Sequence, residues 1–138
     1  KLLRNINPKL QISSQACPLF VPIIEEGLEN HPIAKLMIHD YLSPLIGNDI
    51  EALILGCTHY PILKKTIYSL IPREVDIIDS SDILSSYAKQ YLNQQKLINI
   101  SSNVTTQLLV TDASSHFNQF ASKILNDNFC SISTIQPF

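Results

Sequence analysis

The feature that most restricts the fold is an apolar run that stops at a glycine and leads directly into a helix-like pattern. Residues 50–55 are typical of a buried strand, Gly56 ends the run, and Pro61 fits the first turn of a helix. Cys57 lies in the turn between the two elements. In open α/β sheets, ligands bind at the carboxyl ends of strands. We therefore expect Cys57 at a ligand-binding edge, where backbone N–H groups and the positive end of a helix favour the thiolate.

Short apolar runs alternate with helical patterns along the chain. The predicted strands are residues 10–14, 50–55, 75–78, 107–111 and 129–133. Helices are predicted within segment 16–27, over 32–46 and 61–71, and in two segments whose caps lie in 79–82 and 112–115. Strands that alternate with helices favour βαβ units. The expected fold class is therefore α/β, with a mostly parallel sheet flanked by helices.

Charge and cysteine content exclude several classes of protein. The net charge is −2 and no block of Lys or Arg occurs, so the electrostatic surface of a nucleic-acid-binding protein is missing. The apolar stretches are short and contain proline, whereas a membrane span needs about 20 apolar residues. Three cysteines, an odd and sparse set, argue against a disulfide framework. They suit a reducing compartment, so we expect a cytoplasmic protein.

The sequence is expected to be one part of a longer protein. It begins with Lys1 rather than Met, and residues 1–4 resemble the end of a helix already under way. With 138 residues, of which 45% are hydrophobic, it is long enough to form a core. Residues 79–82 are the first candidate for an internal boundary, and the polar segment 94–103 is the second.

Two long motifs resemble one known family. Residues 56–63 read Gly-Cys-Thr-His-Tyr-Pro-Ile-Leu, which looks like the C-terminal signature of bacterial glutamate racemases, members of the aspartate/glutamate racemase family. Residues 16–27, Ala-Cys-Pro-Leu-Phe-Val-Pro-Ile-Ile-Glu-Glu-Gly, resemble the upstream motif of that family at the family's spacing. Val-Thr-Asp at 110–112 also fits. The resemblance covers nearly the whole chain.

The resemblance implies racemisation of glutamate without a cofactor, which supplies D-glutamate for cell-wall peptidoglycan. A proton must leave the α-carbon on one face and return on the other, so two groups should flank the carbon. One cysteine of that pair matches Cys57. The other belongs to an N-terminal half and precedes an Asn-Thr pair, and neither this motif nor the family's Asp-Ser-Gly segment occurs here. We therefore expect that the chain requires the N-terminal half of the enzyme as a partner and that the isolated chain is inactive. Assembly into a homo-oligomer stays open.

The resemblance assigns roles to four residues. Cys57 takes the α-proton from one glutamate enantiomer and returns it in the reverse direction. Thr58 contacts the substrate, and His59 both contacts the substrate and assists Cys57. Glu25 acts electrostatically on His59 or on the substrate ammonium. Glu25 is favoured over Glu26 because it follows the Pro-apolar-apolar run directly.

Each of these residues also has a plain structural interpretation. Cys57 is small and apolar enough for a core position. Thr58 suits a helix N-cap, and His59 suits a hydrogen bond to backbone beside it. Glu25 and Glu26 would also fit a solvated helix face. A nucleophilic Cys-His pair is a rival role for Cys57 and His59, although such partners are normally brought together by the fold.

The remaining cysteines and histidines are assigned to structure. Cys17 is expected to pack in the core or near the site, and Cys130 in the core. Residues expected at the surface are His31, His39, His116, Lys64 and Lys65. No metal site is expected, because the cysteines and histidines lack the paired spacing of zinc ligands.

Enzymes of the resembled family have two similar lobes with the active site between them. By this resemblance, residues 1–79 form the later part of the second lobe, and residues 80–138 return to the first lobe. Two other functions stay open: a related two-cysteine racemase or isomerase acting on another small acid such as aspartate, and a non-catalytic module with a vestigial site. Thr-His-Tyr-Pro at 58–61 favours glutamate, and the intact Gly-Cys-Thr-His argues against decay.

Overall fold

The computed structural model describes residues 2–99, 105–126 and 131–136. Its helices are α1 (Leu2–Ile6), α2 (Phe20–Glu25), α3 (Pro32–Ile46), α4 (Lys64–Tyr68), α5 (Ser80–Gln94) and α6 (Ser115–Leu125). The strands are β1 (Ala52–Leu55), β2 (Asp76–Asp79), β3 (Gln107–Val110) and β4 (Ser131–Thr134), and a 3₁₀ turn covers Tyr60–Leu63.

The chain divides into two compact units, Lys1–Ser86 and Tyr87–Phe138. In the first unit, β1 and β2 are parallel, and Leu55 lies opposite Asp79. In the second unit, β3 and β4 are also parallel. Parallel strands joined through helices confirm the predicted α/β fold class.

The core of the first unit lies on one face of the β1–β2 sheet. Leu53 and Leu55 of β1 and Ile77 of β2 are buried, whereas Ile54 and Ile78 on the other face are 53% and 38% exposed. The largest fully buried side chains are Phe20, Ile24, Ile38, Leu63 and Ile67. Burying one side chain of this size contributes about 1.5–3 kcal/mol. Through this packing, α2 contacts both α3 and the 3₁₀ turn.

Two helices begin in the segments predicted for them, and a side chain caps each of them. The helix predicted over residues 32–46 is α3, and the Nδ1 atom of His31 accepts a hydrogen bond from the Ile33 backbone N–H at 3.2 Å. In α6, the Ser114 hydroxyl oxygen accepts from the Phe117 N–H at 3.1 Å. Asn126 then ends α6 in the left-handed region, with φ of 49°, a conformation that asparagine adopts more readily than most residues.

The strand predicted over residues 10–14 is wrong. This segment has no regular secondary structure and is exposed. A strand needs a neighbour to pair its backbone groups, and among the described residues β1 pairs with β2 alone. The last predicted strand is β4, shifted toward the C-terminus, and Phe129 and Cys130 lie outside the described residues.

The helix predicted over residues 61–71 is shorter and begins differently. The backbone N–H groups of Tyr60 and Ile62 donate to the carbonyls of Cys57 and His59, three residues back, at 3.3 and 3.0 Å. This spacing is that of a 3₁₀ turn, which is tighter than an α-helix. The α-helical part is α4 alone, so Cys57 precedes a 3₁₀ turn rather than a long helix.

Asp79 joins the end of β2 to the start of α5. Its Oδ1 atom accepts hydrogen bonds from the Ser81 backbone N–H at 2.8 Å and from the Ser81 hydroxyl at 2.6 Å, which confirms the capping role predicted for segment 79–82. Its Oδ2 atom accepts from Lys64 Nζ at 3.3 Å. The Ser81 hydroxyl, followed by the Ser81 N–H and Lys64, lowers the pKa of Asp79 against the opposing effect of burial.

Lys64 does not lie on a fully solvated face, contrary to expectation. Its side chain is 25% exposed and also donates to Asp82. The hydrogen bond to Asp82, ahead of the one to Asp79, raises the pKa of Lys64. Helical periodicity placed Lys64 and Lys65 together at the surface. It could not distinguish Lys64, because the carboxylates that pair with Lys64 belong to other elements.

Replacing Asp79 by alanine will lower the free energy of unfolding at pH 7 by about 1 kcal/mol, the usual cost of losing an N-cap. Because the folded pKa of Asp79 is lowered, its contribution is present above about pH 4 and is lost as pH falls through the folded pKa. The difference between the wild type and Asp79→Ala should therefore narrow at pH 3. Urea denaturation at both pH values measures it. Asp76→Asn, at an exposed position of the same strand, is the control, and an Asp79 effect that does not change with pH would contradict the assignment.

Within the described residues, no helix combines the length and the apolar character needed to cross a bilayer.

Candidate active site

The site lies where β1 ends, at the carboxyl edge of the β1–β2 sheet. Leu55 is the last residue of β1, and Cys57 follows it across Gly56. A Cβ atom built at Gly56 would meet no described atom within 4 Å, so this turn borders open space. Because β1 and β2 are parallel and in register, Asp79 ends at the same edge. The expected position of Cys57 at a strand end agrees with this geometry.

A thiol and an imidazole face each other in the turn. Cys57 Sγ lies 4.0 Å from His59 Nδ1, and Thr58 Oγ1 lies 3.5 Å from the same nitrogen. Cys57 and His59 are half-buried, and Thr58 is exposed. The interpretation of Cys57 as a fully buried core residue is therefore wrong. Cys57 is partly exposed, and its sulfur lies close to a group that can exchange a proton with it.

The other side of the imidazole meets a carboxylate. His59 Nε2 lies 3.3 Å from Glu25 Oε1, and Glu25 is the last residue of α2. If the imidazole is neutral, an N–H at Nε2 donates to Glu25 and leaves Nδ1 as an acceptor toward Cys57. The side chains of His59 and Glu25 are 30% and 55% exposed, so the ion pair itself contributes only about 0–1 kcal/mol. The contact instead orients the imidazole, which lies between the Glu25 carboxylate and the Cys57 thiol.

Thr58 is not a helix cap. The residue that precedes the 3₁₀ turn is His59, and no side chain caps that turn. The capping interpretation of Thr58 is therefore wrong. Its hydroxyl is exposed beside His59 and is open to a ligand.

Cys17 differs from Cys57 in its environment. It is buried, and its sulfur donates to the Gln15 carbonyl at 3.6 Å. Burial raises the pKa of the Cys17 thiol, which keeps it protonated and unreactive near neutral pH. The structural role expected for Cys17 agrees with this environment. His39 and the capping His31 are exposed, as expected, and the side chain of His116 lies outside the described residues.

Tyr60 is the site residue that sequence reasoning missed. Its hydroxyl donates to the Cys17 carbonyl at 3.3 Å, and its ring packs edge-on against Phe20 with centroids 5.2 Å apart. The only sequence signal was its place in the motif directly after His59. In residues 2–99, 105–126 and 131–136, no three His, Cys, Asp or Glu side chains converge as a metal site would require.

Fold and site together define an α/β protein in which a cysteine, a histidine and a glutamate lie close together at the carboxyl end of a parallel strand. Two curated relatives are glutamate racemases of Chlorobaculum parvum, 43% identical over 118 residues, and of a Sulfurihydrogenibium species, 38% identical over 125 residues. These matches cover 85% and 91% of this chain, and 43% and 46% of the relatives. The chain belongs to the glutamate racemase family and corresponds to its C-terminal half.

Solved structures of the same family share the fold. The glutamate racemase of Francisella tularensis in complex with D-glutamate superposes with a TM-score of 0.86 at 33% identity, over 98% of this chain and 51% of that one. The Thermus thermophilus enzyme in complex with β-chloro-D-alanine gives 0.75 at 36% identity, over 88% and 46%. The chain thus spans about half the length of the proteins it matches. No family model matches it.

Proposed function

We propose that this chain is the C-terminal half of a cofactor-independent glutamate racemase, which interconverts L- and D-glutamate. The observation that carries the proposal is the arrangement at the end of β1, where the two ring nitrogens of His59 lie near Cys57 and Glu25. It occurs in a chain whose relatives are named glutamate racemases, one of them solved with D-glutamate. Glutamate is therefore the proposed substrate, in preference to aspartate.

In the proposed mechanism, the thiolate of Cys57 removes the proton from the α-carbon on one face. The Cα–H bond breaks, the sulfur gains the proton, and the electron pair stays on the carbon. A second acid on the opposite face then protonates the carbon, which inverts it. Glu25 holds His59 in place, and His59 Nδ1 exchanges protons with Cys57. The Thr58 hydroxyl and the His59 ring contact the substrate.

The second acid is proposed to come from outside these residues. Cys17 is buried and its thiol donates a hydrogen bond to the Gln15 carbonyl. No cysteine followed by Asn-Thr occurs in the sequence. We propose that the N-terminal half of the enzyme supplies this group. Residues 1–79 would then belong to the second lobe and residues 80–138 to the first. The compact units Lys1–Ser86 and Tyr87–Phe138 support a division close to this boundary. The division between the units falls inside α5, after its proposed place at the start of that helix.

The proposed physiological role is the supply of D-glutamate for peptidoglycan in the cytoplasm. Cys17 and Cys57 are free thiols, which suits a reducing compartment. Such a compartment also protects a required thiolate from oxidation.

The proposal is tested in a hybrid protein, in which this chain replaces the matched 118 residues of the Chlorobaculum parvum relative. Chiral chromatography measures D-glutamate formed from L-glutamate, with L-aspartate as the competing substrate. Turnover of glutamate in preference to aspartate supports the proposal. A folded hybrid that turns over neither acid would favour the non-catalytic module, and preference for aspartate would favour the related racemase.

In the hybrid, Glu25→Gln will lower kcat about tenfold, equivalent to about 1.4 kcal/mol in the activation barrier, because the amide orients His59 less firmly than a carboxylate does. Glu26→Gln is the matched control. Glu26 follows α2 as its C-cap residue, and its neighbour is the carboxylate that reaches His59. Initial rates at saturating glutamate compare the two variants. Equal effects of the two substitutions would refute the role given to Glu25.

A further inference from the structure

The backbone of the catalytic turn is tied to Tyr60. The Tyr60 N–H donates to the Cys57 carbonyl at 3.3 Å and closes the turn that carries Cys57, Thr58 and His59. Tyr60 is also the first residue of the 3₁₀ turn, in which the Ile62 N–H donates to the His59 carbonyl at 3.0 Å. The backbone of Tyr60 is therefore part of the hydrogen-bonded turn that carries the thiol and the imidazole.

The Tyr60 side chain is held on its far side by the segment that begins α2. Its hydroxyl donates to the Cys17 carbonyl at 3.3 Å, and its ring packs edge-on against Phe20 at an interplanar angle of 79°. Phe20 is 2% exposed and itself packs edge-on against Tyr41 of α3, with centroids 5.4 Å apart. Burial, followed by the nearby Cys17 and Cys57 thiols, raises the pKa of Tyr60, so the phenol stays a hydrogen-bond donor.

The two ends of the short helix α2 thus contact neighbouring residues of the catalytic turn. Phe20, the first residue of α2, contacts Tyr60, and Glu25, the last, contacts His59. Five helical steps separate Phe20 from Glu25, a rise of about 7.5 Å along the helix axis, so the two contacts come from opposite ends of α2. The Glu25 contact is exposed and screened by solvent, whereas the Phe20 contact is buried. The buried contact is therefore the stronger of the two.

We propose that Tyr60 is a positioning residue, which holds Cys57 and His59 in reactive geometry by anchoring their turn to Cys17 and Phe20. Its effect on catalysis rests on the proposed racemase function. Its effect on the turn does not, and the two are measured separately.

The turn itself is measured in the 138-residue chain by amide hydrogen exchange at Tyr60 and Ile62, whose N–H groups close it. Tyr60→Phe keeps the ring and removes only the hydroxyl, so exchange at these amides should rise about fivefold, the equivalent of one ordinary hydrogen bond. Tyr60→Leu also removes the aromatic contact and should raise exchange further. Tyr68→Phe, at a half-exposed position on α4, is the control and should leave exchange unchanged. Wild-type exchange rates in both Tyr60 variants would overturn the proposal.

Catalysis is measured in the hybrid protein. Because the hydroxyl orients the reacting groups and does not bind substrate, Tyr60→Phe should lower kcat about fivefold and leave KM within about twofold. Unchanged kcat, or a rise in KM alone, would overturn the positioning role. An inactive but folded wild-type hybrid would count against the racemase function, while the exchange rates would still decide whether Tyr60 anchors the turn.

Discussion

Replacing Cys57 by serine in the hybrid protein will lower kcat by a factor of about 10³. General acid–base catalysis by a positioned group contributes about 10²–10⁴ in rate. A serine hydroxyl at the same position is a far weaker acid than a thiol, so its conjugate base is almost absent at neutral pH. His59 and Glu25 would remain in place but would have no sulfur to exchange a proton with. Chiral chromatography of both reaction directions measures the loss.

Cys17→Ala provides the matched comparison. Cys17 is buried, so its replacement should lower the thermal midpoint and change kcat much less than the Cys57 substitution does. Alkylation with iodoacetamide gives a second measurement, in which Cys57 should react first and Cys17 only after unfolding. A Cys57→Ser hybrid with more than a tenth of wild-type kcat would contradict the role of the sulfur.

The second large effect concerns the 138-residue chain without its proposed partner half. We expect no detectable conversion of L- to D-glutamate, because inversion requires a base on one face of the α-carbon and an acid on the other. The described residues offer one accessible thiol, Cys57, at the end of β1. One thiol can remove and return a proton on its own face only, and that exchange restores the starting enantiomer.

The assay compares the isolated chain with the hybrid protein at equal concentration, after circular dichroism has shown both to be folded. Turnover by the hybrid alone is the expected result. Stereoinversion by the isolated chain would mean that a second acid lies within these residues or is contributed by another copy. Repeating the assay with Cys57→Ser in the isolated chain would then show whether Cys57 takes part.

Elements with complete local signals were predictable from the residues alone. The bounds of α3 follow from Pro32 in its first turn and from Gly47, which comes directly after its last residue. The start of α6 follows from Ser114. Parallel pairing was predictable as well, because parallel neighbours need a long crossover between them, and a helical pattern separates each pair of predicted strands. Segment 10–14 failed since an apolar alternation becomes a strand only when another strand pairs with it.

Contacts between elements were beyond local signals. The motif placed Cys57 and His59 two residues apart, but the direction of the imidazole depends on Glu25, which reaches it from α2. Lys64 was wrongly expected in solvent. Its carboxylate partners, Asp79 and Asp82, belong to β2 and α5, so the residues around Lys64 do not reveal them. The anchoring of Tyr60 needed the packing of α2 against the 3₁₀ turn.

Residue order was therefore enough for the α/β class, for most helices, and for the position of Cys57 just after a strand, since these depend on neighbours along the chain. Which atoms meet around that sulfur was settled by packing. The interactions of His59 with Glu25 and of Tyr60 with Cys17 join segments far apart in sequence, and they exist because the buried Phe20 sets α2 against the turn that follows β1.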